Sequence, residues 1–182
     1  MRRVVVVAVG CALTATLAQT QADPSVGARA KHSIVLDVGS NTALGVGLRA
    51  GERTDVLLEG SGRYEDDGVT LVRTASLRPA IRRYWGPIDR SVAPYLLLGL
   101  KAEWIRFESG LNIRHVTRRL GGMAGLGVDW FPAQRVSVGG HIGVEALAVR
   151  REGPVFQPPR GEVFTGQDIG TFASGVRFRL FF

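Results

Sequence analysis

Cysteine and lysine are almost absent from this 182-residue chain. The single cysteine, Cys11, lies inside an apolar amino-terminal segment. Cleavage after Ala22 leaves a mature chain with no thiol, which excludes disulfides, thiol catalysis and sulfur-ligated zinc together. Only Lys31 and Lys101 are lysines, so nearly all of the 23 basic residues are arginines. After the amino-terminal segment no run of ~18 apolar residues occurs, so any membrane contact must come from strands. His-Glu-x-x-His and calcium-loop motifs are missing too, and neither a metal nor a cofactor is implied. A pI near 10.7 raises nucleic acid as a partner. The arginines are dispersed rather than gathered on one amphipathic helix, and a secreted chain does not meet nucleic acid. No nucleic-acid partner is expected.

What is present begins with Arg2 and Arg3, followed by an apolar or small-residue run from Val4 to Leu17. Ala18, with Thr16 before it, and Ala22, with Thr20 before it, are both suitable cleavage positions. Residues 1–22 therefore read as a secretory signal peptide. The run is too short to anchor across a hydrocarbon core of ~30 Å. Residues 23–32 form a short amino-terminal segment, and 33–182 are one domain. Setting aside Arg2 and Arg3 leaves an excess of five basic residues over the 16 acidic ones. The 24 glycines are heavy for a helical protein and ordinary for a barrel built on tight turns and small inward residues.

Apolar residues alternate in segment after segment, the period of a strand with two unlike faces. Ile34, Leu36 and Val38 share one face, and the tight turn Gly39-Ser40-Asn41 follows. Leu44, Val46 and Leu48 repeat the pattern, then Val56, Leu58 and Gly60, then Ala75, Leu77, Pro79 and Ile81. The fifth segment is the clearest, with Leu96, Leu98, Leu100, Ala102 and Trp104 on one face. Leu120 to Trp130 and Val136 to Ala148 follow, and an eighth segment runs to Phe182. Loops are expected at 65–68, 108–114 and 151–166, and compact turns between the other pairs. Pro79 removes a ladder donor and is expected to mark a bulge.

The chain ends on Val176, Phe178, Leu180 and Phe182 at alternate positions, with Arg177 and Arg179 between them. That ending resembles the assembly signal of outer-membrane β-barrels in Gram-negative bacteria. Ala93-Pro94-Tyr95-Leu96-Leu97-Leu98-Gly99-Leu100 and Gly125-Leu126-Gly127-Val128-Asp129-Trp130-Phe131 add to the likeness. The whole of the chain after the signal resembles the small eight-stranded outer-membrane barrel family that includes opacity-type adhesins. The resemblance implies an all-β fold, an eight-stranded antiparallel up-and-down transmembrane β-barrel. It also implies location in the outer membrane of a Gram-negative bacterium and, as partners, outer-membrane lipid and the barrel-assembly machinery, met through the C-terminal strand.

Parity then sorts the polar residues. Asp37, Asp55, Glu59, Glu103, Asp129 and Glu145 fall on the inward face. Arg49, Arg63, Arg78, Arg82, Lys101, Arg119, Arg177 and Arg179 fall there as well. An eight-stranded lumen is only wide enough for side chains, so these charges are expected to pair and close it. Aromatics at strand ends, Tyr84, Trp85, Tyr95, Trp130, Phe131, Phe181 and Phe182 at one level and Tyr64, Trp104 and Phe107 at the other, are expected to form interfacial girdles. Arg73, Arg106, Arg114, Arg118, Arg150, Arg151 and Arg160 fall at outer ends, where guanidinium groups suit the phosphates of lipopolysaccharide.

No catalytic constellation emerges. Ser137, His141 and Glu145 lie four residues apart along a strand, ~13 Å per step, and cannot form a triad by themselves. Gly45-Val46-Gly47-Leu48-Arg49-Ala50 matches a dinucleotide fingerprint but has no helix after it. Gly121 to Gly125 and Gly139 to Gly143 have the spacing of helix-packing motifs without an apolar helix. The expected function is a non-enzymatic barrel with a structural or adhesive role, its outer loops meeting an extracellular ligand. A narrow solute channel and an outer-membrane lipid-modifying enzyme are the alternatives; a soluble ligand-binding barrel would invert the pattern.

Overall fold

Alternation at period two becomes ten antiparallel strands: β1 (Arg3–Val5), β2 (His32–Val38), β3 (Ala43–Gly51), β4 (Thr54–Asp66), β5 (Thr70–Tyr84), β6 (Val92–Ser109), β7 (Arg114–Ala133), β8 (Val136–Gly153), β9 (Glu162–Ala173) and β10 (Val176–Phe181). The computed structural model describes residues 3–5, 31–38, 42–86, 91–110, 113–153, 162–173 and 176–182. Cys11, both cleavage positions, the turn at 39–41 and the prolines at 154, 158 and 159 with Arg160 lie outside the described residues.

Each strand of β2 to β8 pairs with the next in sequence. β9 and β10 both pair with β8, one after the other, and are two halves of one stave. The sheet closes because β10 also pairs with β2, from Val176↔Val38 to Phe181↔Ser33. Eight staves result among the described residues, and closure removes the edges that would invite aggregation. The short β1 lies antiparallel to the end of β4, with Arg3 opposite Asp66.

The faces sort as parity requires. Leu120 and Ile142 on the outer wall are 63% and 68% exposed, while Arg82 and Arg177 inside are 0% and 1% exposed. A soluble barrel would show the reverse. Among the described residues no helix is long and apolar enough to cross a membrane.

Three expectations need correction. The outer ends are strand where loops were expected: Glu65 and Asp66 belong to β4, Glu108 to β6, Arg114 to β7, and 151–153 and 162–166 to β8 and β9. Polar composition misled there because a strand standing clear of the bilayer has no apolar face to alternate. The β4–β5 connection is accordingly tight. Gly68 takes φ 83°, and Asp67 Oδ1 accepts from the N–H groups of Val69 and Thr70 at 3.0 and 2.6 Å. Pro79 makes no bulge: pairing with β6 lapses between Leu77↔Ala102 and Ala80↔Gly99 and resumes in the same register. Finally, Tyr84, Tyr95, Phe131 and Phe181 are buried inside the barrel, not placed in an interfacial girdle. Trp85, Trp104, Trp130 and Phe182 do lie on the outer surface.

The wall is uneven in height. Pairing of β3 with β4 stops at Leu44↔Gly60, although β4 continues to Asp66. β9 pairs with β8 along its whole length, from Gly153↔Glu162 to Ile142↔Ala173. Six staves therefore rise beyond the two formed by β2 and β3, leaving a notch above them.

Candidate functional site

Among the described residues the buried charge is gathered in the lumen. Its deepest layer is organised by the two arginines of β10. Arg177 Nη2 donates to Asp37 Oδ2 on β2 at 2.9 Å and to Glu59 Oε2 on β4 at 3.2 Å. Arg179 donates to Tyr84 Oη on β5 at 2.9 Å and to Ser33 Oγ on β2 at 3.1 Å. The same guanidinium lies 2.8 Å from Asp55 and 3.6 Å from Asp129. Arg82 Nη1 donates to Asp129 Oδ2 at 2.9 Å, with its guanidinium 4.4 Å from the Tyr95 ring centre. Tyr84 Oη donates to the same Asp129 oxygen at 2.7 Å. Arg49 lies 3.5 Å from Asp55, and Arg78 3.8 Å from Glu59.

A second layer lies nearer the outer mouth. Lys101 Nζ donates to both oxygens of Glu145 at 3.1 Å and lies 3.8 Å from Glu103. Arg119 donates to Glu103 at 3.2 Å and approaches Asp168 at 3.8 Å. Burial falls between the layers: the side chains of Arg177 and Arg179 are 1% exposed, those of Arg119 and Asp168 30% and 50%. The lumen is closed to solvent around its deep arginines and more accessible towards the mouth. Val35, Leu57, Leu97, Met123 and Phe181 fill the space around the deep charges.

The lumen thus holds three ion-pair groups: Asp37, Glu59 and Arg78 around Arg177; Asp55, Arg82 and Asp129 around Arg179; and Lys101, Glu103, Arg119 and Glu145 nearer the mouth. Arg63 stands apart, paired with Glu65 near the outer end of β4. Asp168 was missed from sequence because the start of the eighth stave had no clear alternation. Tyr84 was missed as a network member because an aromatic at a strand end reads as an interface residue. A buried ion pair broken on one side costs about 3–5 kcal/mol.

The glycines at helix-like spacing find their reason here. Gly121 and Gly125 on β7, and Gly139 and Gly143 on β8, share the inward face. Gly125 and Gly143 are directly opposed. A Cβ on Gly125 would strike the Ile142 carbonyl oxygen, and one on Gly143 that of Ala124. The wall curves too sharply there for any side chain.

The histidines have structural neighbours. His141 Nδ1 lies 3.4 Å from Tyr95 Oη, and its ring meets Phe172 edge-on. His115 stacks on Phe107.

On the outer surface, Arg73 on β5 is directly opposite Arg106 on β6, and Arg118 on β7 directly opposite Arg150 on β8. Like charges in cross-strand register repel. Glu108 and Glu152 offset part of this: Arg106–Glu108 is 2.6 Å, Arg150–Glu152 2.8 Å and Arg118–Glu152 3.7 Å. Arg73 lies over the Tyr64 ring. Arg114 is in register with Glu108 on β6. Arg151 falls on the inward parity, at the mouth. Arg118 and Arg150 share the cross-strand row of Trp104, and Arg73 and Arg106 lie one step farther out.

No family model and no curated protein matches the chain. Among solved structures it is similar to a major outer membrane protein from Thermus thermophilus, with a TM-score of 0.56 and 13% identity over 84% of this chain and 99% of that one. It also aligns with Neisserial surface protein A, at a TM-score of 0.44 and 14% identity over 83% of this chain and 93% of that one. The fold is that of an outer-membrane β-barrel.

Proposed function

We propose that this chain is a non-enzymatic β-barrel of a Gram-negative outer membrane, with a closed lumen and a structural or surface-adhesive role. The observation that carries the reading is the inversion of polarity: exposed aliphatic residues on the wall, buried arginines and carboxylates within. Membership of the opacity-type family belongs to the same proposal and is supported by the architecture. So does recognition of Val176, Phe178, Leu180 and Phe182 by the assembly machinery.

The outer rim is the contact surface. Arg73 with Arg106 and Arg118 with Arg150 form two like-charged pairs with two glutamates among four guanidiniums. Lipopolysaccharide phosphates relieve that repulsion, since each phosphate accepts bidentate hydrogen bonds from an arginine fork. Arg114 lies at the rim as a further contact, whereas Arg151, on the inward parity, faces the mouth instead. Replacing Arg106, Arg118 and Arg150 with Gln is expected to weaken lipopolysaccharide binding by roughly tenfold or more, about 1.4 kcal/mol. Titration of the purified barrel with lipopolysaccharide checks this; unchanged affinity in the triple variant contradicts it.

A further inference from the structure

The hydrogen-bond rows of the wall do not run level with the membrane. One row passes through Leu36, Leu44, Gly60, Leu77, Ala102, Leu120, Ala148 and Gln167, from β2 round to β9. Leu36 is also paired with Phe178, on the stave that β9 and β10 share. The row therefore returns to that stave at Gln167, eleven residues before Phe178 and nearer the outer end. Rows climb outward from β2 to β9 by a little over one residue per stave, the shear of a closed and tilted barrel.

The outward arginines run against that climb. Arg73 and Arg106 share a row on β5 and β6, whereas Arg118 and Arg150 share the next outward-facing row down on β7 and β8. Arg106 is in register with Val116, two residues from Arg118. That step offsets most of the climb across four staves, so all four arginines stand in one band about 5 Å deep. A layer of lipid head groups is a plane of that kind. Trp104 lies on the wall just beneath Arg106, as suits a ring at the interface.

Charge sets the number of phosphates. At the outer ends of β5 to β8 the outward faces carry Arg73, Arg106, Arg114, Arg118 and Arg150 against Glu108 and Glu152, an excess of three positive charges. A phosphate monoester carries about 1.5 to 2 negative charges at neutral pH, so one leaves the band positive and two neutralise it. The side chains of Arg106, Arg118 and Arg150 are 52%, 55% and 57% exposed. Each guanidinium has five N–H donors, so its carboxylate contact leaves an edge free for a further anion. The centres of the two arginine pairs lie two staves and one step apart, about 12 Å. Phosphates at opposite ends of a disaccharide span that gap; the adjacent phosphates of a pyrophosphate do not.

We propose that this band grips one glycolipid by two phosphates at once, one on each arginine pair, and so selects a diphosphorylated disaccharide head over a monophosphorylated one. This deepens the lipopolysaccharide reading, on which it rests, by fixing the form of the head group and a stoichiometry of one lipid per band.

The test titrates the full-length barrel, as processed in cells and purified folded in detergent, with diphosphoryl lipid A and with monophosphoryl lipid A. The diphosphoryl lipid is expected to bind at least tenfold more tightly, with one lipid per barrel. In the double variant Arg118→Gln with Arg150→Gln, or Arg73→Gln with Arg106→Gln, its affinity should fall to that of the monophosphoryl lipid. Either variant should still hold the monophosphoryl lipid through the remaining pair. An unchanged mobility shift on boiling shows that each variant is folded. Equal affinity of the unaltered barrel for both lipids would overturn the proposal and leave the lipopolysaccharide reading standing. Two diphosphoryl lipids per barrel, one on each pair, would overturn it as well. A barrel that binds neither lipid more tightly than phosphatidylglycerol would reject both.

Discussion

Arg179 reaches four other staves from the last one, touching Ser33, Asp55, Tyr84 and Asp129 across the lumen. Truncating it leaves two carboxylates in a dry layer with fewer partners, so Arg179→Ala is expected to destabilise the folded barrel by about 3–5 kcal/mol. Urea unfolding in lipid vesicles reads that loss. On the outer wall, Leu126→Arg should cost about 2–4 kcal/mol in the same assay, because it places a cation at bilayer depth. The equivalent change outside the belt should cost far less. Parity made most of the interior legible: an Arg, Asp or Glu flanked on both sides by aliphatic residues can only be inward in a membrane barrel. Asp168 was not legible, since Gln167 and Ile169 beside it give no clean alternation. Nor was the part played by Tyr84, whose ring packs inside while its hydroxyl serves the arginines.

At the scale of elements, β10 does two jobs with one alternation. Its outward apolar residues face lipid, and its arginines tie β2, β4, β5 and β7 together at the seam where the barrel closes. Replacing Phe182 with Ser is expected to lower the fraction of chain assembled in outer membranes severalfold while leaving lumen pairing intact; quantitative blotting of folded and unfolded bands measures it. Arg177→Ala should instead let the chain reach the membrane but weaken what forms there. β7 and β8 show the opposite dependence, on the absence of a side chain. Gly125→Val should prevent closure, seen as loss of the compact band on gels without boiling, because the added Cβ would overlap the Ile142 carbonyl. The glycine spacing was visible in the sequence, but only the cross-strand register explains it. Strand length was misread for a related reason: alternation reports a strand only where one face is apolar, and β6, β7 and β8 run on beyond the belt.

In the whole molecule, an apolar exterior encloses a charged interior that pairs with itself. Among the described residues, charged side chains are fully buried at the base of the lumen and partly exposed towards the mouth, which is the basis for proposing a closed barrel. Planar bilayers containing the protein should show no steady conductance at ordinary voltages, and a stable open channel would require the deep cluster to be rebuilt. Fold class was readable because every stave repeats one physical rule. A ligand for the outer surface was not, because a rim of arginines specifies a chemistry without a name. The most direct measurement of the central claim is gel mobility of outer-membrane extract with and without boiling. A band in that fraction that migrates compactly unheated and shifts on boiling is predicted, as a closed detergent-resistant barrel requires. A soluble periplasmic band with one mobility under both conditions would contradict the account.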